Sequence, residues 1–345
     1  MTEFMRIGAP GAEIPVLRHE GAHYDLRPLT HDIDGAFLAA DGLRRARDAA
    51  RGGGLERIDL TGARIGAPVA TPGKVVCIGL NYRDHAEETG AAIPQEPVVF
   101  MKDPGTVVGP FDEVLIPRGS RKTDWEVELA VVIGTTARYL ASDEEAAASI
   151  AGYAISNDVS EREFQLERGG QWDKGKSCES FNPLGPWLVP ADEVADPQDL
   201  GMRLSVNGEQ RQNGSTSTMI FGVLEVVRYL SQFMVLRPGD VVNTGTPAGV
   251  ALGMPTPVYL APGDRVELSI DGAPVAATPQ LEAAPVFAFE ASGVDTFFRN
   301  GVKVGDDVLH IFDDGIYSGW DTISTAVPLG YVTAGQSVTV SVWAG

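Results

Sequence analysis

The chain has 345 residues and carries 47 Asp and Glu against 27 Lys and Arg, a net charge of -20. That balance argues against nucleic acid and against anionic membrane surfaces as partners. A hydrophobic content of 43% and a charged content of 21% are those of a globular protein large enough for two or three domains, and 40 glycines and 23 prolines spread without a period point to many turns and much β-structure. Cys77 and Cys178 are the only cysteines, too few for a disulfide framework, which fits a reducing cytoplasm. Residues 1–15 lack the basic start and apolar core of a signal peptide, and no run approaches the ~18 apolar residues of a membrane span.

Taken in order, residues 1–70 read as a small N-terminal module. Short strands are expected around Gly21, and a weak helical pattern from Phe37 to Ala50 has a solvated face bearing Arg44, Arg45 and Arg47. Arg51-Gly52-Gly53-Gly54 reads as a flexible joint, and His19, His23 and His31 as surface or turn histidines. A second unit spans 71–272. Lys74 to Gly79 is a buried strand, Asn81 to Glu88 a strand-to-helix turn, and Pro97 to Met101 another strand. Helices are expected at Ser142–Ser149, Ser160–Arg168 and Met219–Phe233, the last capped by the Ser/Thr run Gly214 to Thr218. Ala- and Pro-rich 273–285 reads as a linker, and 286–345 as a β-rich C-terminal extension with strands near Val286–Phe289, Asp307–Phe312 and Ser337–Trp343.

Asp124 to Ile133 reads as one strand that becomes fully buried. On a strand Glu126 and Glu128 share a face while Val127 and Leu129 take the other. The pair is either an ordinary solvated strand face or, where the carboxylates lose hydration side by side, a site that needs compensation, and Mg²⁺ or Mn²⁺ prefers such oxygens. Asp158 follows the apolar run Ala151 to Ser156. It is either a helix N-cap or a third carboxylate of the same site. His85 and Glu88 are three apart, close enough on a helical turn for the carboxylate to orient the imidazole, or for an ordinary surface ion pair. Gly170 to Ser177 satisfies the G-x-x-x-x-G-K-[ST] pattern, but a charged segment precedes it and Pro183 and Pro186 follow, so a nucleotide-binding loop is rejected and Lys176 is left as a fixed cation. Thr244-Gly245-Thr246-Pro247 is either a tight turn or a nest for a carboxylate.

These segments together resemble the fumarylacetoacetate hydrolase superfamily from about Lys74 to Gly272. The resemblance rests on Ile78-Gly79-Leu80-Asn81-Tyr82-Arg83-Asp84-His85, Asp124-Trp125-Glu126-Val127-Glu128-Leu129, Asn157-Asp158-Val159-Ser160-Glu161-Arg162, Asn207-Gly208-Glu209 and Thr244-Gly245-Thr246-Pro247. Phe164 to Lys176 is similar to the branch that hydrolyses 2,4-diketo-3-deoxy-L-fuconate, some members of which carry a ureidoglycolate lyase label. The resemblance implies an α+β, β-rich fold, a mixed β-sandwich roll with flanking helices, in a homodimer binding Mg²⁺ or Mn²⁺ and acting on a small 2-oxo acid. By motif position, Glu126, Glu128 and Asp158 would be metal ligands and His85 with Glu88 the water-activating pair. Lys176 would be a cation beside the developing enolate, and Arg162, Gln165 and Thr246 would line the site. The implied reaction is hydrolysis of the C3–C4 bond of a 2,4-diketo acid with release of pyruvate. Acylpyruvate hydrolysis, oxaloacetate decarboxylation and ureidoglycolate cleavage share the same motifs. A reading of another class is a binding protein that uses the C-terminal extension and keeps the catalytic fold as scaffold.

Overall fold

The computed structural model describes residues 2–60 and 62–271 in full, and beyond 271 the backbone of six strands. Its first part is an antiparallel sheet of Thr2–Ile7 (β1), Ile14–His19 (β2), Ala22–Asp25 (β3) and Ile65–Gly66 (β4), ordered β3-β2-β1-β4. The helical pattern near residue 40 splits into Gly35–Ala39 (α1) and Gly42–Arg51 (α2). Asp41 between them sits at φ 56, a left-handed conformation that a continuous helix cannot hold. The triple glycine is not a joint but the end of α2. Gly52 and Gly54 donate backbone bonds to Asp48 and Ala49, and Gly53 takes the left-handed φ of 71 that glycine favours at helix ends. Two further expectations change here. Arg47 leaves the solvated face to pair with Asp192 at 2.8 Å, and His19 is buried on β2 within 3.0 Å of the Thr2 hydroxyl.

The chain then runs through Val75–Gly79 (β5), Arg83–Thr89 (α3), Val98–Lys102 (β6), Val107–Val108 (β7), Thr123–Asp124 (β8), Val127–Ile133 (β9), Asp143–Ser149 (α4), Ile150–Asn157 (β10) and Ser160–Glu161 (β11). Asp173–Lys176 (α5), Asn182–Pro183 (β12), Val189–Pro190 (β13), Gly201–Val206 (β14), Glu209–Ser215 (β15), Val223–Leu230 (α6), Val241–Asn243 (β16) and Arg265–Ile270 (β17) follow. A six-stranded mixed sheet has the order β13-β10-β9-β16-β5-β6, with only β16 and β5 parallel. A second, antiparallel sheet runs β15-β14-β17-β18, where β18 is Ala276–Gln280.

Every residue of β9 is buried, and its two-residue period sorts them into different surroundings. Val127, Leu129, Val131 and Ile133 pack into the main core with Met202 and Leu204 of β14, Leu268 and Ile270 of β17, and the inner face of α6. On the other face Ala130 joins Cys77 and Phe100, and Val132 joins Phe4, Leu17 and Leu188. The N-terminal sheet therefore shares a core with the central sheet. Phe4 and Leu188 also exchange backbone hydrogen bonds at 3.0 and 2.8 Å.

Helix α4 lies as expected, with Ser142 Oγ accepting the Glu145 N–H at 3.3 Å. The helix expected over 160–168 does not form. Ser160 and Glu161 pair with Asp124 and Thr123, and Arg162 N–H donates to Lys122 O, so these backbone groups are committed to a strand partner. Only Glu163–Glu167 coils, as a π-turn. The helix expected from Met219 begins at Val223, because Met219 is extended and bridges Tyr82. Ser215 caps a 3₁₀ turn over Thr216–Thr218, and Gln198 Oε1 accepts the Val223 N–H instead.

Two compact units result, Met1–Leu281 and Glu282–Gly345. Part of the expected linker, Ala276–Gln280, is thus a strand of the first unit; 273–275 and 281–285 lie outside the described residues. In the second unit β19 (Val286–Ala291) pairs with β22 (Asp321–Ala326), and β20 (Asn300–Val304) lies between β21 (Asp307–Phe312) and β23 (Val340–Trp343). No described helix is long and apolar enough to cross a membrane.

Candidate active site

The strand expected over 124–133 is interrupted at Trp125 and Glu126, and that interruption builds the site. On one side Val127 pairs with Asn157, on the other Asp124 pairs with Ser160, in one continuous register. The unpaired stretch between them sets Asp158 opposite Glu126, and Asp158 N–H donates to Glu126 O at 2.9 Å. Opposite residues share a sheet face, and residues two apart on one strand share it too. Glu126, Glu128 and Asp158 therefore converge, each offering an oxygen within 4.8 Å of the others, and all three are buried. Asp158 precedes β11, so it caps no helix.

Buried carboxylates at this spacing must be neutralised. Lys176 Nζ stands 2.7 Å from Glu126 and 3.0 Å from Asp158, while Arg162 reaches Asp124 at 2.8 Å and Glu126 at 2.7 Å. Burial opposes charge on Glu126, but Lys176 and Arg162 overcome it and hold its carboxyl at about 2. Burial likewise opposes charge on Lys176, and Asp158 and Glu126 nevertheless raise its pKa above the usual lysine value. Glu128 has no such partner among the described residues. Burial pushes its carboxyl well above the ordinary range, and the Asp158 and Glu126 charges add to the effect. Its Oε2 accepts the Gly245 N–H at 2.7 Å, so the Thr244–Pro247 turn holds a carboxylate of the protein itself. A third cation is Lys102, at the inner end of β6. It is 1% exposed, its Nζ lies 2.5 Å from Asp158 Oδ1, and it donates to Val159 O at 3.0 Å. The pattern of Val98, Phe100 and Lys102 on one strand face signals an inward lysine, but the sequence reading ended that strand at Met101.

Three hard-oxygen donors in one buried cluster, one of them left without a counter-charge, fit a divalent cation. Glu126 and Glu128 line a cavity of about 210 Å³ together with His85, Arg162, Gln165, Lys176 and Thr246. Gln165 Oε1 accepts from Arg162 at 3.1 Å. Thr246 Oγ1 donates to Val127 O at 2.9 Å and accepts from Gln212, which also fixes Val127 N–H; neither Gln212 nor Asp124 stood out in the sequence. His85 and Glu88 share one face of α3, but Nδ1 and Oε1 are 3.8 Å apart, beyond hydrogen-bond length. Glu88 is anchored instead by the Gly249 N–H. In the rejected nucleotide-loop segment, Lys176 points to the carboxylates, and a Cβ on Gly175 would lie 2.3 Å from Glu161 O, so that glycine serves close packing.

The β-rich arrangement of sheets that carries these residues matches the fumarylacetoacetate hydrolase fold. The chain belongs to that family: the fumarylacetoacetate hydrolase C-terminal domain matches residues 74–279. A Burkholderia multivorans relative, whose name goes no further than a general hydrolase, is 50% identical over 276 residues, covering 78% of this chain and 95% of its own. A fumarylacetoacetate hydrolase from Exiguobacterium antarcticum is 36% identical with a TM-score of 0.70, over 82% of this chain and 100% of that one. Maleylpyruvate hydrolase from Sphingobium sp. SYK-6, solved with manganese(II) and pyruvate, is 28% identical with a TM-score of 0.66, over 80% of this chain and 98% of that one. Similar structures also include 2-hydroxyhepta-2,4-diene-1,7-dioate isomerase from Mycobacterium marinum, 30% identical with a TM-score of 0.60, over 81% and 98% of the two chains.

Proposed function

We propose that this chain is a metal-dependent hydrolase that cleaves the C3–C4 bond of a 2,4-diketo acid and releases pyruvate, working as a homodimer with Mg²⁺ or Mn²⁺. The observation that carries the reading is the convergence of Glu126, Glu128 and Asp158 beside a cavity that Glu126, Glu128, His85 and Lys176 line. The manganese and pyruvate in the maleylpyruvate hydrolase structure support the same choice of ion and product. Glu126, Glu128 and Asp158 would hold the ion, which when bound supplies positive charge for the oxygens of the 2-oxo acid.

The protein's own residues perform the rest. Lys176, kept charged by its carboxylate neighbours, stands as a fixed cation where negative charge develops on the substrate. His85 directs Nδ1 toward Glu88, which leaves its other ring nitrogen to take a proton from water. The 3.8 Å gap is one that such pairs close when substrate is bound. Water adds to C4, the C3–C4 bond breaks with its electron pair passing to C3, and a proton delivered to C3 completes pyruvate. The other product is the carboxylic acid of the acyl arm. Resemblance of the Phe164–Lys176 segment favours 2,4-diketo-3-deoxy-L-fuconate, for which that acid is lactate.

A panel of 2,4-diketo acids assayed for pyruvate, with and without chelator, tests this. The expected result is chelator-sensitive pyruvate release, restored by Mg²⁺ or Mn²⁺. His85→Ala is expected to lose about 10²–10⁴ in kcat while its Mn²⁺ titration is unchanged. Products of unchanged mass, with the double bond moved, would replace hydrolysis by the isomerisation that the Mycobacterium marinum structure is named for.

A further inference from the structure

The cavity has two unlike ends. Its charged groups are committed to the carboxylate cluster: Arg162 to Asp124 and Glu126, and Lys176 to Glu126 and Asp158. Thr89, on the α3 side, donates its hydroxyl proton to His85 O at 2.9 Å. Gln165 and Thr246 are the other polar lining groups, with Gln165 Oε1 on Arg162 and the Thr246 hydroxyl donated to Val127 O. The remaining wall is hydrocarbon and aromatic, formed chiefly by Leu80, Phe100, Leu166, Trp172 and Leu252. Among the described lining residues, His85 is the only ionisable side chain outside the cluster.

Trp172 is fixed as part of that wall. Its ring meets Phe100 edge-on at 5.3 Å and 63°. Gly79 makes room for it, since a Cβ there would lie 2.5 Å from the indole Cζ3. Asp173 Oδ1 next door accepts the Met101 N–H at 3.2 Å and ties this segment to β6. Lys176 Nζ lies 5.0 Å from the Phe100 ring centroid, where the wall meets the charged end, but it is paired with Glu126 and Asp158. Beyond it, against Trp172, Leu80, Leu166 and Leu252, a carboxylate would lose hydration with no cation to replace it, and a polyhydroxy arm would lose hydrogen bonds.

We propose that Phe100 and Trp172 are specificity-determining residues that select substrates whose acyl arm, beyond C4, is uncharged and apolar. The preferred class is thus a 2,4-diketo acid ending in an alkyl or aryl group, and diacids and polyhydroxy acids are disfavoured; the wall therefore ranks the deoxyfuconate substrate, whose arm carries one hydroxyl and which resemblance alone favours, behind an apolar arm of the same length. This rests on the proposed reaction for its chemistry and on the wall for its direction.

The test has two readouts. Pyruvate release is measured for diketo acids of matched length ending in methyl, phenyl, carboxylate or hydroxyl groups. Binding to the Mn²⁺-loaded protein is measured by calorimetry for 2-oxo acids with the same endings, which need no turnover. Apolar arms are expected to exceed the carboxylate arm by about 100-fold in kcat/KM, with the same order in affinity. Trp172→Ala is expected to lower kcat/KM for the phenyl arm about tenfold more than for the carboxylate arm, so that the ratio between the two arms falls; Phe100→Leu gives a second reading of that ratio if the first variant folds poorly. Tighter binding of the carboxylate or hydroxyl arm overturns the inference even if pyruvate is released from all. Apolar preference in calorimetry without pyruvate from any compound overturns the proposed reaction and leaves the wall's selectivity standing.

Discussion

At the scale of single residues the site is a problem in charge. Three carboxylates are buried within reach of one another, and three cations, Lys102, Lys176 and Arg162, pair with two of them, Glu126 and Asp158. Removing a partner from a buried ion pair costs about 3–5 kcal/mol, because the remaining charge is left uncompensated. Lys102→Met is therefore expected to destabilise the metal-free protein by about that amount. A divalent cation at the triad supplies charge to the same carboxylate, so saturating Mn²⁺ should recover a large part of the loss. Denaturant unfolding of both proteins with and without Mn²⁺ checks this: the stabilisation by Mn²⁺ should be larger in the variant, and an equal increment would remove Lys102 from the charge balance. Glu126 and Glu128 were legible because an acidic pair at the head of an apolar run is chemically anomalous. Lys102 carries the same anomaly, a cation on the inward register of β6, hidden by placing the strand end one residue early.

Among the elements, α3 and the 3₁₀ turn Ala251–Gly253 set the geometry of the histidine pair. Glu88 packs against this turn so closely that a Cβ on Gly253 would lie 1.8 Å from Oε1. The atom displaced is the end of a flexible side chain, so Gly253→Ala should move Glu88 rather than break the fold. The expected outcome is a kcat loss similar to that of Glu88→Ala, roughly 10²-fold, with the Mn²⁺ titration unchanged. Introduced into Glu88→Ala it should cost little more, because the two changes remove one interaction; additive losses would show that Gly253 acts on something else. Sequence spacing placed His85 and Glu88 on one face of a helix correctly. It could not show that Glu88 is fixed from a turn more than 160 residues away in the chain. The same limit explains the helices at 160 and 219: both stretches have helical composition, and both spend their first backbone groups on partners distant in sequence.

For the whole molecule, the ordered motifs made the family and its β-rich fold legible, since several of them sit at strand ends whose apolar runs need no partner to be recognised. Boundaries were less legible because they depend on who shares a core. Residues 1–70 look separable by composition, yet Phe4 and Leu17 pack in one cluster with Val132 of β9 and Leu188. At the other end, Ala276–Gln280 looks like a linker because Ala and Pro are poor strand formers. Pairing with β17, in the register Leu268 to Ala276 and Arg265 to Gln280, makes it a strand all the same. This difference decides where the chain can be cut. All residues of the candidate site lie within Met1–Leu281. A chain ending at Leu281 should keep pyruvate release and its melting temperature. A chain ending at Gly272 removes β18, leaves the β17 ladder open on one side, and should melt several degrees lower with a matching loss of soluble yield. Comparing the two by thermal unfolding and turnover separates the claims: equal stability would deny β18 a role in the sheet, and loss of turnover in the longer chain would bring Glu282–Gly345 into the function.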